Sequence, residues 1–154
     1  FAGAVVLPSG SVTNSNVLAS TGIDASKLDH NRVIANELYG PAVTIAALTK
    51  SLYCAQGAGT ILGFDAWIEV VASDVSRTVN VDLQKSTAGG AWTTVMSSPV
   101  AITSSTTVRT LVAGTVSTPT YIAGDMFRAV VTVAGASGTQ ATGLTCRLRV
   151  DEAY

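Results

Sequence analysis

The sequence predicts an all-β protein, a jelly-roll-like antiparallel β-sandwich preceded by an extended N-terminal arm. Three observations predict it. Apolar and polar residues alternate with a period of two in segment after segment beyond residue 40. Gly, Ser and Pro clusters separate those segments at intervals of roughly 8–15 residues, the punctuation of a sandwich or jelly roll. No stretch of adequate length beyond residue 40 carries the period of an amphipathic helix.

Residues 1–40 read as a unit of their own. They are polar, with isolated apolar residues at Val12, Val17, Leu18, Ile23, Leu28, Val33 and Ile34 that keep no strict period of two. Asp24 is suited to cap one short helical piece, Ala25–His30. So few apolar neighbours cannot bury one another, so the unit should lie as an arm on another surface. Val17, Leu18, Ile23, Leu28, His30, Val33 and Ile34 are its candidate contact residues. The pair Gly40–Pro41 ends the arm, and residues 41–154 form the sandwich.

The first sandwich strand is expected over Val43–Cys54, with Ala46, Leu48, Leu52 and Cys54 on one side. Ile61–Val71 follows, placing Leu62, Phe64, Ala66, Ile68 and Val70 on one face and Asp65, Trp67 and Glu69 on the other. Thr78–Gln84 turns Val79, Val81 and Leu83 inward. The loop Ala88–Gly89–Gly90 joins it to Ala91–Met96 as a hairpin. Thr106–Val112 reads as a weaker strand, and a short one falls near Tyr121–Ile122. Phe127–Val133 buries Phe127, Ala129, Val131 and Val133; Leu144–Val150 buries Leu144, Cys146, Leu148 and Val150. In a jelly roll the first and last strands are neighbours, which would bring Cys54 near Cys146. Those two cysteines are either buried free thiols or a bridge between the strands, the latter requiring an oxidising compartment.

Composition narrows function. Of the 154 residues 12% are charged and 47% hydrophobic, and mean hydropathy is +0.42. Much of the surface should therefore be covered by other protein. A net charge of −1 and scattered basic residues give no field for nucleic acid. The apolar stretches Thr60–Ala72 and Phe127–Ala136 are short and interrupted by Asp65, Glu69 and Arg128, so no membrane span is expected. The opening FAGAVVLPSG lacks a basic region and has only a short apolar run, so no secretion signal is expected there.

Catalytic groups are sparse. His30 is the only histidine and lies on the arm. Asp65 and Glu69 share a strand face about 13 Å apart, too far for a glycosidase pair. Asp151 and Glu152 point to opposite sides of their strand. These acids read as solvated strand faces, and Asp74 and Asp125 lack calcium-loop spacing. Gly57-Ala58-Gly59 and Gly135-Ala136-Ser137-Gly138 are turns between strands rather than phosphate loops. Neither an enzyme nor a cofactor is expected. Trp67, Trp92 and Tyr121 are candidate surface contacts, anchoring a protein interface or, alternatively, stacking on a glycan as in an adhesion module.

The phrase Ile23-Asp24-Ala25-Ser26-Lys27-Leu28-Asp29-His30 resembles the I-x-A-S-K-L-x-H segment of tailed-bacteriophage head-fibre and capsid decoration proteins. Three further phrases resemble them in the same order: Ala55-Gln56-Gly57-Ala58-Gly59-Thr60-Ile61, Val79-Asn80-Val81-Asp82-Leu83-Gln84-Lys85 and Tyr121-Ile122-Ala123-Gly124-Asp125. The resemblance implies a cement protein on the capsid exterior of a virion, assembled in the host cytoplasm. It also implies a homotrimer bound to the major capsid protein through the arm.

Overall fold

Unbroken alternation becomes sheet in the computed structural model, which describes residues 31–152. The strands are β1 (Asn31–Thr44), β2 (Leu48–Cys54), β3 (Gly59–Val70), β4 (Thr78–Ser86), β5 (Thr93–Thr94), β6 (Met96–Ser98), β7 (Val100–Thr103), β8 (Val112–Ala113), β9 (Thr115–Val116), β10 (Thr120–Tyr121), β11 (Met126–Ala134) and β12 (Thr142–Glu152). All pairings among them are antiparallel. The first sheet runs β1-β12-β3-β10, with β8 also on β3; the second runs β2-β11-β4-β5, with β7 also on β4; β6 and β9 form a small ribbon. The first strand thus lies beside the last, and the second beside the next to last. This is the double wrap of a jelly roll, so the expected all-β sandwich is the fold.

The core comes from the inward faces of the long strands. Phe64, Ile68, Leu144, Cys146, Leu148 and Val150 on the first sheet are at most 1% exposed, as are Val79, Val81, Leu83, Phe127, Ala129 and Val131 on the second. Each large side chain contributes on the order of 1.5–3 kcal/mol by leaving water. These are the residues whose facing the alternation predicts.

Elsewhere the structure corrects the sequence reading. The expected boundary at Gly40–Pro41 falls inside β1, so residues 31–40 belong to the sandwich as its leading edge strand. The expected helix Ala25–His30 lies outside the described residues.

Two bulges displace the expected facings. Tyr53 pairs with Phe127 but Ser51 with Arg128, leaving Leu52 as an extra residue on β2. Gly63 pairs with Arg149 but Ile61 with Val150, leaving Leu62 as an extra residue on β3. One extra residue reverses which side the rest of a strand presents. Cys54 and Leu62 are therefore exposed, whereas Ile61 is 4% exposed. Cys54 and Cys146 sit in opposite sheets and are both free thiols, so the expected neighbourhood fails because β1, not the Cys54 strand, is first.

Thr106–Val112 is mostly loop. The Thr106 amide donates to Thr103 O, the Thr103 amide to Thr106 Oγ1, and Arg109 has φ +55°. Local hydroxyl bonds compete there with a ladder, and only Val112–Ala113 pairs.

Candidate functional site

Charged residues are few, and the folded chain gathers several of them into buried clusters. At the end of β12, Glu152 is fully buried. It accepts hydrogen bonds from the Tyr53 hydroxyl, from the Gln56 amide at 2.7 Å and from the Gly57 amide at 2.9 Å, and its carboxylate lies 3.4 Å from Arg32 Nη1. Burial alone would raise its carboxyl, but Tyr53, the two amides and Arg32 outweigh it and hold it below its ordinary value. Burial and the bond to Glu152 push the Tyr53 hydroxyl up to about 12. Nearby, the Tyr121 hydroxyl donates to Asp151 O at 3.2 Å, and burial raises it as well.

A second cluster lies on the outward face of the first sheet. Asp65 is 3% exposed and takes a two-pronged bond from Arg147, Nε to Oδ1 at 2.9 Å and Nη2 to Oδ2 at 2.8 Å. Arg149 approaches the same carboxylate at 3.7 Å, over Gly63, where a Cβ would stand 2.4 Å from Arg149 Nη2. Glu69 bonds Arg109 at 2.7 Å. In a third cluster, Asp125 pairs with Lys85 at 3.2 Å and accepts the Ile122 amide at 3.1 Å. Burial opposes its charge, yet the Ile122 amide, Thr87 and Lys85 hold the carboxyl below its ordinary value.

Asp65 and Glu152 are therefore buried ion-pair partners, not solvated strand faces, and the loop acid Asp125 is buried against Lys85. Asp151 and Glu152 do point to opposite sides, one exposed and one buried. No sequence spacing links Glu152 to Tyr53 or Asp65 to Arg147; only the pairing of distant strands brings them together. Among the described residues no three His, Cys, Asp or Glu side chains converge as a metal site requires.

The edges of the two sheets meet at a seam between β1 and β2. Three side chains tie it: Lys50 Nζ to Glu37 O at 2.7 Å, Tyr39 Oη to Ala46 O at 2.9 Å and Arg32 Nη1 to Tyr53 Oη at 3.1 Å. A groove of about 270 Å³ is lined by Ser51, Leu52, Tyr53, Cys54, Met126 and Phe127. A second, of about 250 Å³, is lined by Lys85, Thr87, Thr120, Tyr121, Ile122 and Asp125.

The candidate contact residues divide. Val17, Leu18, Ile23, Leu28 and His30 lie outside the described residues. Val33 is 58% exposed on β1, while Ile34 turns inward and packs against the core. Trp67 is half-buried on the outward side of β3, beside Thr145. Trp92 is half-buried under the Arg128 guanidinium, 4.3 Å from its ring centroid, and Arg128 belongs to the second sheet. Tyr121 is no surface contact: it is 3% exposed and meets Phe127 edge-on at 5.4 Å. Its hydroxyl finds a carbonyl inside, which lets the ring join the core. The three aromatics therefore form no shared platform.

No family model, curated protein or solved structure gives a significant match to this chain.

Proposed function

We propose that the chain is a structural, non-catalytic assembly protein. Its jelly roll would attach to a larger protein shell through the leading segment, as a capsid decoration or cement protein does. The observation that supports this is the position of β1. The strand continuous with residues 1–30 is the edge of its sheet, with no strand on its other side among the described residues. Its outward side chains Val33, Ala35 and Glu37 are exposed. An edge strand offers backbone donors and acceptors to another chain wherever the seam with β2 leaves them uncovered. The low charge density and high mean hydropathy support the same reading.

In this reading the partners are the major capsid protein and other copies of the chain, arranged as a homotrimer on the capsid exterior, with no cofactor. The positions of Trp67, Trp92 and Tyr121 give no support to the glycan-binding alternative. Light scattering on the full chain after size exclusion should give three times the chain mass. Limited proteolysis of the unassembled chain should cut within residues 1–30 before the sandwich. A stable monomer with residues 1–30 as resistant as the sandwich would overturn the proposal.

A further inference from the structure

We infer that the outward face of the first sheet is a contact surface for a second copy of this chain, with Glu37 of one copy meeting Arg149 of the other. Three strands build the face. Cα pairing sets Val33 beside Arg149 and Gly63, Ala35 beside Arg147 and Asp65, and Glu37 beside Thr145 and Trp67. The β1 row is open: Val33 is 58% exposed, and Ala35 and Glu37 are exposed with it. Leu62, 47% exposed, adds apolar surface at the bulge beside Gly63. Exposed apolar side chains gathered on one sheet face mark an interaction surface.

The occupant follows from charges that do not close within the chain. Both oxygens of Asp65 are held by Arg147, at 2.9 and 2.8 Å. Arg149 stands farther off, with its Nε 3.7 Å from the same carboxylate. That nitrogen is buried and makes no hydrogen bond, while the side chain as a whole is 42% exposed. Two guanidiniums thus share one carboxylate, and Arg149 keeps donors for a second acid. Gly63 gives it room, since a Cβ there would stand 2.4 Å from Arg149 Nη2. Glu37 is the complement: its carboxylate forms no ion pair among the described residues. Val33 is the Cα partner of Arg149, and Glu37 lies four residues farther along β1, about 13 Å away. The acid and the base cannot meet within one copy while Arg149 lies over Gly63. A face with an unmatched acid and an unmatched base is complementary to itself. A second copy laid on it brings each acid to the other's base and covers Val33 and Ala35 between them. The inference rests on the proposed function only in taking the chain to self-associate. Residues 1–30 are left to hold the shell.

Sedimentation velocity on the full chain over a range of concentrations reads the contact. E37R, R149E, V33S and the swap E37R/R149E are compared with the unchanged chain, with thermal unfolding of each measured first. E37R and R149E should each weaken association about tenfold. The swap should recover most of that loss, which a merely structural role for either residue would not produce. V33S should weaken association about threefold. Where R149E unfolds early, through a second carboxylate beside Asp65, E37R and V33S decide alone, since both replace exposed side chains. Association unchanged by E37R overturns the inference and gives the face to a different partner. A swap that folds like the parent yet associates no better than the single variants overturns it too. Trimers untouched by E37R keep the proposed function and remove this contact. Dimers lost in E37R keep this contact and remove the trimer, and a monomer at every concentration removes both.

Discussion

Glu152 shows how much one side chain fixes here. It joins the end of β12 to the β2–β3 turn through Gln56 and Gly57, to β2 through Tyr53 and to β1 through Arg32. Glu152→Gln keeps the shape but removes the charge that faces Arg32 and reverses half the amide's polarity toward donors. The expected loss is about 2–3 kcal/mol, read as a lower urea midpoint with an unchanged slope. The same residue sets an acid limit. Its carboxyl is held below its ordinary value in the folded chain, as is that of Asp125. Stability from both is fully present above the unfolded-state value, near pH 4–5, and is lost as pH falls through the folded-state values. Tyr53 sets the alkaline limit with the opposite sign. Raised to about 12, it contributes below the unfolded-state value near 10, and that contribution is lost as pH rises toward 12. Thermal unfolding followed by circular dichroism should therefore show a plateau from about pH 5 to 9, falling on both sides. Glu152→Gln should flatten the acid limb, and an unchanged limb would remove Glu152 from this account.

At the scale of elements, the strand starts are as constrained as the strand centres. Gly59 opens β3 between β12 and β10. A Cβ there would stand 2.2 Å from Asp151 O and 2.4 Å from the Tyr121 hydroxyl. A ladder carbonyl cannot yield as a flexible side chain can, so Gly59→Ala should cost about 1–3 kcal/mol in urea unfolding. Gly89, with no atom within 4 Å of its Cβ position, is strained only by its φ of +74°. Its alanine variant should cost about 1 kcal/mol at most. The contrast explains what the sequence made legible. Thr78–Gln84, Phe127–Val133 and Leu144–Val150 read correctly because their alternation is unbroken and each lies between two partner strands. The facings of Cys54 and Leu62 did not, because a bulge leaves no mark in composition. Residues 31–40 read as arm because the inward row of this edge strand, Arg32, Ile34, Asn36 and Leu38, is half polar, and Gly40–Pro41 imitates a boundary. The candidate site was least legible. Tyr121 gave no sign of a carbonyl partner, and the Glu152 and Asp65 clusters join residues separated by 99 and 82 positions.

At the scale of the molecule, the fold can be separated from the segment assigned to assembly. Asn31 and Asp151 are Cα partners on neighbouring strands, so the ends of the described sandwich stand side by side. A short Gly/Ser linker can join them without crossing the core. The Ala88–Gly90 turn offers new ends, because it is exposed and both flanking strands are anchored in the second sheet. A permutant beginning at Gly90, joined from Glu152 to Asn31 and ending at Gly89, omits residues 1–30 and 153–154 and keeps every strand pairing among the described residues. It should unfold cooperatively, within about 1–2 kcal/mol of the parent, since each ladder survives and only a loop closure changes. Truncation before Thr142 should instead abolish the cooperative transition. It removes the strand between β1 and β3 and with it Leu144, Cys146, Leu148 and Val150 from the core. Light scattering on the permutant then addresses assembly. If residues 1–30 carry association, the permutant is monomeric at concentrations where the parent is not. A permutant that still associates would move the contact onto the sandwich itself, with the exposed face around Val33 and Trp67 the first surface to substitute.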